Sequence, residues 1–263
     1  MSIIGTIERI NGSLIVAYFD EEPKIGDLTE VGDLRLMGEI VRLSGETAYI
    51  QCFEATSGLR PGEPVADLGV PLVAELGPGL MGRIVDGVER SETELWELTG
   101  PFVSRGTNIS PLNREAKWRF EAKVKPGDKV EGGNVLGVVQ ETVSFEHRVL
   151  VPLKQSGTIK SIMSGEFTVT DVIGEIATSS GIVPIKMMQT WPVRIPRPIK
   201  ERLPLEMPLM TGQRVIDTFF PVAKGGAAAI PGGFGTGKTV TLQQIAKWSD
   251  ADIIIYIGCG ERG

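Results

Sequence analysis

Ala228-Ala-Ile-Pro-Gly-Gly-Phe-Gly-Thr-Gly-Lys-Thr239 is the stretch on which the reading of this chain turns. Within it, Gly232, Gly237, Lys238 and Thr239 satisfy the spacing G-x-x-x-x-G-K-[ST], a phosphate-cradling loop. Each residue type has a physical task there. Glycines let the backbone turn with successive N–H groups pointing inward, and a helix opening at the end of the loop adds the positive end of its dipole. Lys238 is placed to reach the outer phosphates as a point charge, and the Thr239 hydroxyl to ligate Mg²⁺. The loop also needs a strand before it and a helix after it. Ala227-Ala-Ala-Ile230 is a short apolar run that reads as the incoming strand. Val240-Thr-Leu-Gln-Gln-Ile-Ala-Lys-Trp248 puts Leu242, Ile245 and Ala246 at helical spacing. Ile253-Ile-Ile-Tyr-Ile257 then reads as a fully buried parallel strand. The expected fold here is the start of a phosphate-loop α/β nucleotide-binding domain.

Composition bounds the rest. The chain has 263 residues, 41% of them hydrophobic and 23% charged, which fits globular protein built as two small domains or parts of three. A formal charge of −6 argues against binding nucleic acid through a basic surface. No apolar run approaches the roughly 20 residues that cross a bilayer, and Met1 is followed by no signal-like segment. Membrane association is therefore expected only through partners. Cys52 and Cys259 lie far apart in strand-like stretches, so no disulfide framework is expected. His147 is the sole histidine and is read as solvated or structurally satisfied, not as part of a metal site or a triad.

Residues 1–73 read as a small β-barrel. Ile3–Ile10 and Leu14–Tyr18 flank Asn11-Gly12, a strong hairpin signal. Leu36–Leu43 and Thr47–Phe53 follow as a second pair around Ser44-Gly-Glu46, and short strands at this spacing suggest closure. Asp20, Glu21 and Glu22 read as a solvated turn. Residues 74–111 form a link, the first part of the nucleotide-binding domain. It holds loop-like Leu76–Gly82, a short strand or turn at Arg83–Val88, and a helix over Glu92–Leu98 capped by Ser91 and ended by Gly100-Pro101. Residues 112–186 are β-like again and resemble the barrel-sandwich fold of lipoyl and biotinyl carrier domains, with halves over Val124–Val139 and Gly157–Ile176. Carrier function fails at the decisive residue: the hairpin Glu141–His147 has no lysine, and Lys186-Met187 falls after the second half. Trp191–Pro198 reads as a proline-spaced linker. Within residues 187–263, Val215, Ile216, Phe219 and Phe220 predict a short amphipathic helix beginning near Thr211.

Taken together, these marks resemble the catalytic A subunit (alpha chain) of V/A-type rotary ATPases and ATP synthases. The resemblance rests on Ser57-Gly-Leu-Arg-Pro-Gly-Glu-Pro64, Glu75-Leu-Gly-Pro-Gly79, Asp86-Gly87, Arg105-Gly106, Lys117-Trp118, Trp191-Pro-Val-Arg194, Thr211–Asp217, Phe220–Gly226 and Gly258–Gly263. The insertion between about 112 and 186 matches the extra "bulge" domain of A subunits, which non-catalytic B subunits and F-type subunits lack. The loop departs at Gly233, where the family usually has proline, and at Thr236, where serine is common. The resemblance implies ATP synthesis or hydrolysis coupled to H⁺ or Na⁺ transport. It implies partners as well: B subunits in an alternating hexamer, a central rotor, a peripheral stalk, and membrane contact only through the ion-translocating sector. It also implies a peripheral place on the cytoplasmic side of the membrane. ATP or ADP with Mg²⁺ would lie against Gly232, Gly233, Phe234, Gly235, Thr236, Gly237, Lys238, Thr239 and Val240. Glu261 matches the water-orienting glutamate and Arg262 an arginine near the same phosphate, with an arginine finger supplied by the neighbouring B-type partner. A flagellar or secretion-type ATPase, the F-type β subunit, and a non-catalytic nucleotide-binding subunit stand as alternatives; the insertion opposes the first two and Glu261 the last. The sequence stops at Gly263 with no later acidic strand, so the chain is expected to be a fragment that binds nucleotide weakly and does not turn over.

Overall fold

The turn Asn11-Gly12 does what its residue types dictate: β1 (Ile3–Asn11) and β2 (Leu14–Phe19) pair antiparallel across it, with Asn11 opposite Leu14 and Ile10 opposite Ile15. This is a computed structural model, and it describes residues 3–199 and 201–260. The second expected hairpin also forms, between β4 (Leu36–Ser44) and β5 (Thr47–Cys52). Two further strands, β3 (Asp27–Val31) and β6 (Pro64–Pro71), complete a closed barrel in the order β1-β2-β5-β4-β3-β6. They escape the sequence reading because polar side chains occupy their buried positions: Asp27, Thr29 and Asp67 are all buried. Alternating apolar residues fill the barrel, among them Ile7, Ile15, Phe19, Leu36, Ile40 and Ile50. Each such side chain contributes about 1.5–3 kcal/mol on leaving water.

A polar knot ties the barrel to the next segment. Arg90, buried, donates to the Asp86 carboxylate (2.7 Å), to the Glu54 carboxylate (2.6 Å) and to the Thr107 carbonyl (2.8 Å). Glu54 in turn accepts from the Gly106 amide at 2.7 Å, and Arg105 donates to the Ser57 carbonyl. Between these anchors, α1 (Glu92–Thr99) starts at Ser91, whose hydroxyl accepts from the Glu94 amide, and ends at Gly100, as its sequence predicts. The proline-spaced stretch is only partly a linker: β16 (Gln189–Pro192) pairs with β7 (Val73–Leu76), Trp191 lying opposite Ala74. Proline is tolerated because the ladder has two strands and leaves an open edge. Beyond it, Arg194 donates through Nε to the buried Glu39 carboxylate at 2.6 Å.

The barrel-sandwich expected from the carrier-like pattern is present as two four-stranded sheets. One has the order β11-β10-β8-β13, from Glu146–Leu150, Val135–Gln140, Trp118–Ala122 and Gly165–Phe167. The other has the order β15-β14-β12-β9, from Gly181–Ile185, Gly174–Thr178, Ser156–Ile162 and Lys129–Glu131. Phe120, Leu136, Val149, Ile159, Ile173 and Ile176 meet in their shared core. His147 stands on β11, half-buried, with Nδ1 3.4 Å from a Glu141 carboxylate oxygen.

The chain divides into two compact units, residues 1–196 and 197–263. The second holds β17 (Pro208–Leu209) paired with β18 (Val222–Ala223), α2 (Arg214–Phe219) and α3 (Lys238–Trp248). Here four expectations need correction. Neither Ala227–Ile230 nor Ile253–Ile257 joins a ladder, and Ile255 and Ile257 are each 81% exposed rather than buried. A parallel strand takes its bonds and its cover from neighbours brought by crossover connections, and the described residues of this unit give these two runs no strand to pair with. Cys259, read as strand-borne, is likewise exposed outside any strand, while Cys52 is buried; both are free thiols. The helix expected from Thr211 starts only at Arg214, because Thr211-Gly212 is bent into a turn by the Asp217 carboxylate.

Burial pushes the Asp67 carboxyl above the ordinary carboxylate range, and nearby Asp27 adds to the effect against the opposing Gly69 amide bond. Its ionised form therefore costs stability above the unfolded-state pKa, and the cost disappears as acid protonates it. Asp67→Asn, which keeps an acceptor for the Gly69 amide, should raise the melting temperature at pH 7 by a few degrees. Calorimetry at pH 7 and pH 4 should show that gain shrinking in acid.

Candidate functional site

The expected phosphate loop opens directly into α3. Gly235 (φ 78°) and Gly237 (φ 83°) hold left-handed backbone that a side chain rarely adopts, and Gly237 is the residue from which the helix begins. The first helical bond runs from the Thr241 amide to the Gly237 carbonyl at 2.9 Å. The amides of Lys238, Thr239 and Val240 precede it and have no partner within the helix. No side chain caps this end, and no acidic residue lies in the first turn. The contrast with α1 is instructive, since Ser91 caps that helix and Glu92 and Glu94 neutralise its dipole. At α3 both the amides and the dipole are left for something negative.

The loop is closed on itself. The Lys238 ammonium donates to the Gly232 carbonyl at 2.5 Å, and the Thr236 hydroxyl donates to the Gly233 carbonyl at 2.8 Å. The two ends of the motif are thus brought together with the lysine folded over the loop. Phe234, Thr239 and Val240 are exposed, so their side chains are open to a ligand. Among the described residues no group of three or more His, Cys, Asp or Glu side chains could hold a metal ion. The exposed Thr239 hydroxyl suits a cation that brings its remaining oxygen ligands with it. Glu261 and Arg262 lie outside the described residues.

One polar residue of the same unit escapes hydrophobic periodicity. Asp217 accepts from the Thr211 hydroxyl (2.6 Å), the Thr211 amide (2.9 Å) and the Gly212 amide (3.1 Å). Those bonds, the Thr211 hydroxyl foremost, hold its carboxyl below the usual range. The spacing of Thr211 and Asp217, a small donor followed one helical entry later by an acceptor, is the signal that announces it. Asp250 braces the same region, accepting from the Met210 amide and pairing with Lys224 at 2.7 Å.

Comparison with known proteins accounts for this arrangement. Residues 7–69 match the family model for the ATP synthase alpha/beta family beta-barrel domain, and 109–194 that for the ATP synthase alpha/beta subunit barrel-sandwich domain. Residues 212–263, which contain the loop and α3, match the ATP synthase alpha/beta family nucleotide-binding domain. The chain belongs to the ATP synthase alpha/beta family. It is 54% identical over 260 residues to the A subunit of the A-type ATP synthase of Thermofilum pendens, covering 98% of this chain and 43% of that protein. It is 53% identical over 261 residues to the corresponding A-type ATP synthase protein of Metallosphaera sedula, covering 98% of this chain and 44% of the relative. The V-type ATP synthase alpha chain of a Thermoanaerobacter species is 54% identical over 260 residues, with 98% and 44% coverage. The chain therefore spans less than half the length of these relatives.

The Asp217 turn gives a measurable consequence. A carboxylate held below its ordinary pKa contributes stability above the unfolded value, about 3.9, and loses it as pH falls through the folded value. Asp217→Ala should speed hydrogen exchange at the Thr211 and Gly212 amides severalfold at pH 7. In the parent chain the same loss should appear only in acid.

Proposed function

We propose that this chain is the barrel, bulge and phosphate-loop portion of the catalytic A subunit of a V/A-type rotary ATPase, in which ATP synthesis or hydrolysis is coupled to H⁺ or Na⁺ transport. The observation that carries the reading is the unpaired amide cluster at the start of α3, set behind two left-handed glycines and beside Lys238. The names of the similar proteins and the barrel-sandwich insertion support A-subunit identity over an F-type β subunit or a flagellar or secretion-type ATPase. In this reading residues 1–73 are the barrel domain, 74–111 the first part of the nucleotide-binding domain, 112–186 the bulge, and 187–263 the phosphate-loop segment.

The chemistry follows from what these residues can hold. Phosphoryl transfer depends on positioning and charge stabilisation more than on covalent participation by the protein. The amides of Gly235, Thr236, Gly237, Lys238 and Thr239 would bind the phosphate oxygens, the α3 dipole adding to their pull. Lys238 would leave the Gly232 carbonyl for the outer phosphates, exchanging a neutral acceptor for an anionic one. Thr239 would ligate Mg²⁺, which supplies neutralisation of the phosphate charge. Gly232, Gly233, Phe234 and Val240 would frame the nucleotide. Glu261 would orient and polarise the attacking water and Arg262 would stand near the same phosphate. An arginine finger would come from one of the B subunits in an alternating hexamer. Rotor and peripheral-stalk subunits complete the proposed assembly, which sits on the cytoplasmic side of the membrane. No helix among the described residues is long and apolar enough to cross a bilayer.

Equilibrium dialysis with Mg-ADP tests the binding half. Lys238→Ala should weaken binding at least tenfold, the order expected for losing a charge-assisted contact; unchanged affinity would overturn the site. For the hydrolytic half, Glu261→Gln in the full-length protein, assembled with its partners, should abolish turnover while nucleotide still binds. A mutant that hydrolyses ATP at the parent rate would remove Glu261 from the mechanism and reopen the non-catalytic alternative.

A further inference from the structure

The β10–β11 hairpin is where carrier domains of similar architecture present their lysine to solvent. Here its first turn residue is driven inward. The Glu141 side chain is 3% exposed, and its Oε1 accepts from the amides of Gly79 at 2.8 Å and Met81 at 2.9 Å in the loop that follows β7. The second oxygen, Oε2, is buried without a hydrogen-bond partner. What faces it is His147 Nδ1 at 3.4 Å, close enough for a charge contact but too long for a good hydrogen bond. The Trp118 ring packs against the same loop, 3.3 Å from where a Cβ on Gly79 would lie. A buried carboxylate oxygen left unpaired is costly, and only the half-buried imidazole stands close enough to change that.

His147 is the group that titrates there. On the opposing strand Val139 stands across from it, and Glu146 and Arg148 alternate onto the exposed face of β11. Loop residues 77–82 contain no ionisable side chain. Among the described residues Glu141 is the charged group that acts on the ring. We propose that Glu141 and His147 form a proton-sensitive clasp, which fixes the barrel-sandwich to the 77–82 loop at neutral pH and loosens in acid. The sign follows from burial: desolvation holds the docked imidazole below its ordinary pKa, and Glu141 only partly restores it. An undocked His147 takes its proton near pH 6.5, a docked one only lower, so acid favours the undocked form between those values. The clasp lies wholly in the first unit and stands whether or not the phosphate loop binds nucleotide.

Amide hydrogen exchange at Gly79 and Met81, corrected for the intrinsic pH dependence of exchange, tests it in the full chain. Protection should fall between pH 7.5 and 5.5, by at most about tenfold, the ceiling set by one proton on a group whose undocked pKa is near 6.5. His147→Gln should keep the protection and abolish the fall, since His147 is the chain's sole histidine. Glu141→Ala should lose protection at both pH values. If that variant does not fold, Glu141→Gln, with an uncharged acceptor, should show lowered protection at pH 7.5. Protection that is flat with pH in the parent, the same fall in His147→Gln, or full protection without the Glu141 carboxylate would overturn the clasp.

Discussion

The loop before α3 depends on one constraint: the backbone must enter the helix without using the amides at its start. Two left-handed residues make that possible, and glycine at 235 and 237 is what permits them. With Gly237 as the N-cap, no side chain competes for the amides of Lys238, Thr239 and Val240. At α1 the opposite choice is made, and Ser91 closes the helix off. Two helices of one chain thus differ in how their first amides are satisfied through a single position. A capping side chain at 237 would stabilise α3 and occupy those amides. Lys238, resting on the Gly232 carbonyl, keeps a positive charge over the loop.

The first unit is held by a different kind of chemistry. Its barrel and barrel-sandwich have ordinary apolar cores, but the segments joining them are fastened by charged side chains with at least one largely buried partner. Arg90 gathers Glu54 and Asp86, and Arg194 covers Glu39. Arg114 pairs with Glu75, and Glu141 is held by backbone amides. Such contacts are directional where hydrophobic burial is not, so they set how one segment lies on the next more than how stable each one is. Several marks that identify the family are these knots. Asp86, Gly106 and Arg194 work as structural fasteners, so conspicuous sequence need not mean catalytic chemistry.

Much of this was legible from residue pattern. Asn11-Gly12 announced the first hairpin, Ser91 and Gly100 bounded α1, and the G-x-x-x-x-G-K-[ST] spacing placed the start of α3. What was hidden has physical causes. Strands β3 and β6 carry Asp27, Thr29 and Asp67 on their buried side, so alternation of apolar residues fails there. Strand β16 is disguised by Pro192. Ile253–Ile257 misled in the other direction, because composition announces a buried strand while burial depends on neighbours far away in sequence. The roles of Asp217 and Glu141 were beyond periodicity altogether, since both act through backbone amides brought near them by folding.

The central claim is that the amides around the start of α3 form an anion-binding cradle. Backbone amide NMR of the isotope-labelled full chain, titrated with Mg-ADP, addresses it residue by residue. The account predicts saturable shifts concentrated on Gly235, Thr236, Gly237, Lys238 and Thr239, with the barrel and barrel-sandwich amides unmoved. Saturable shifts centred on either β unit, or a loop that stays silent while nucleotide binds, would contradict it.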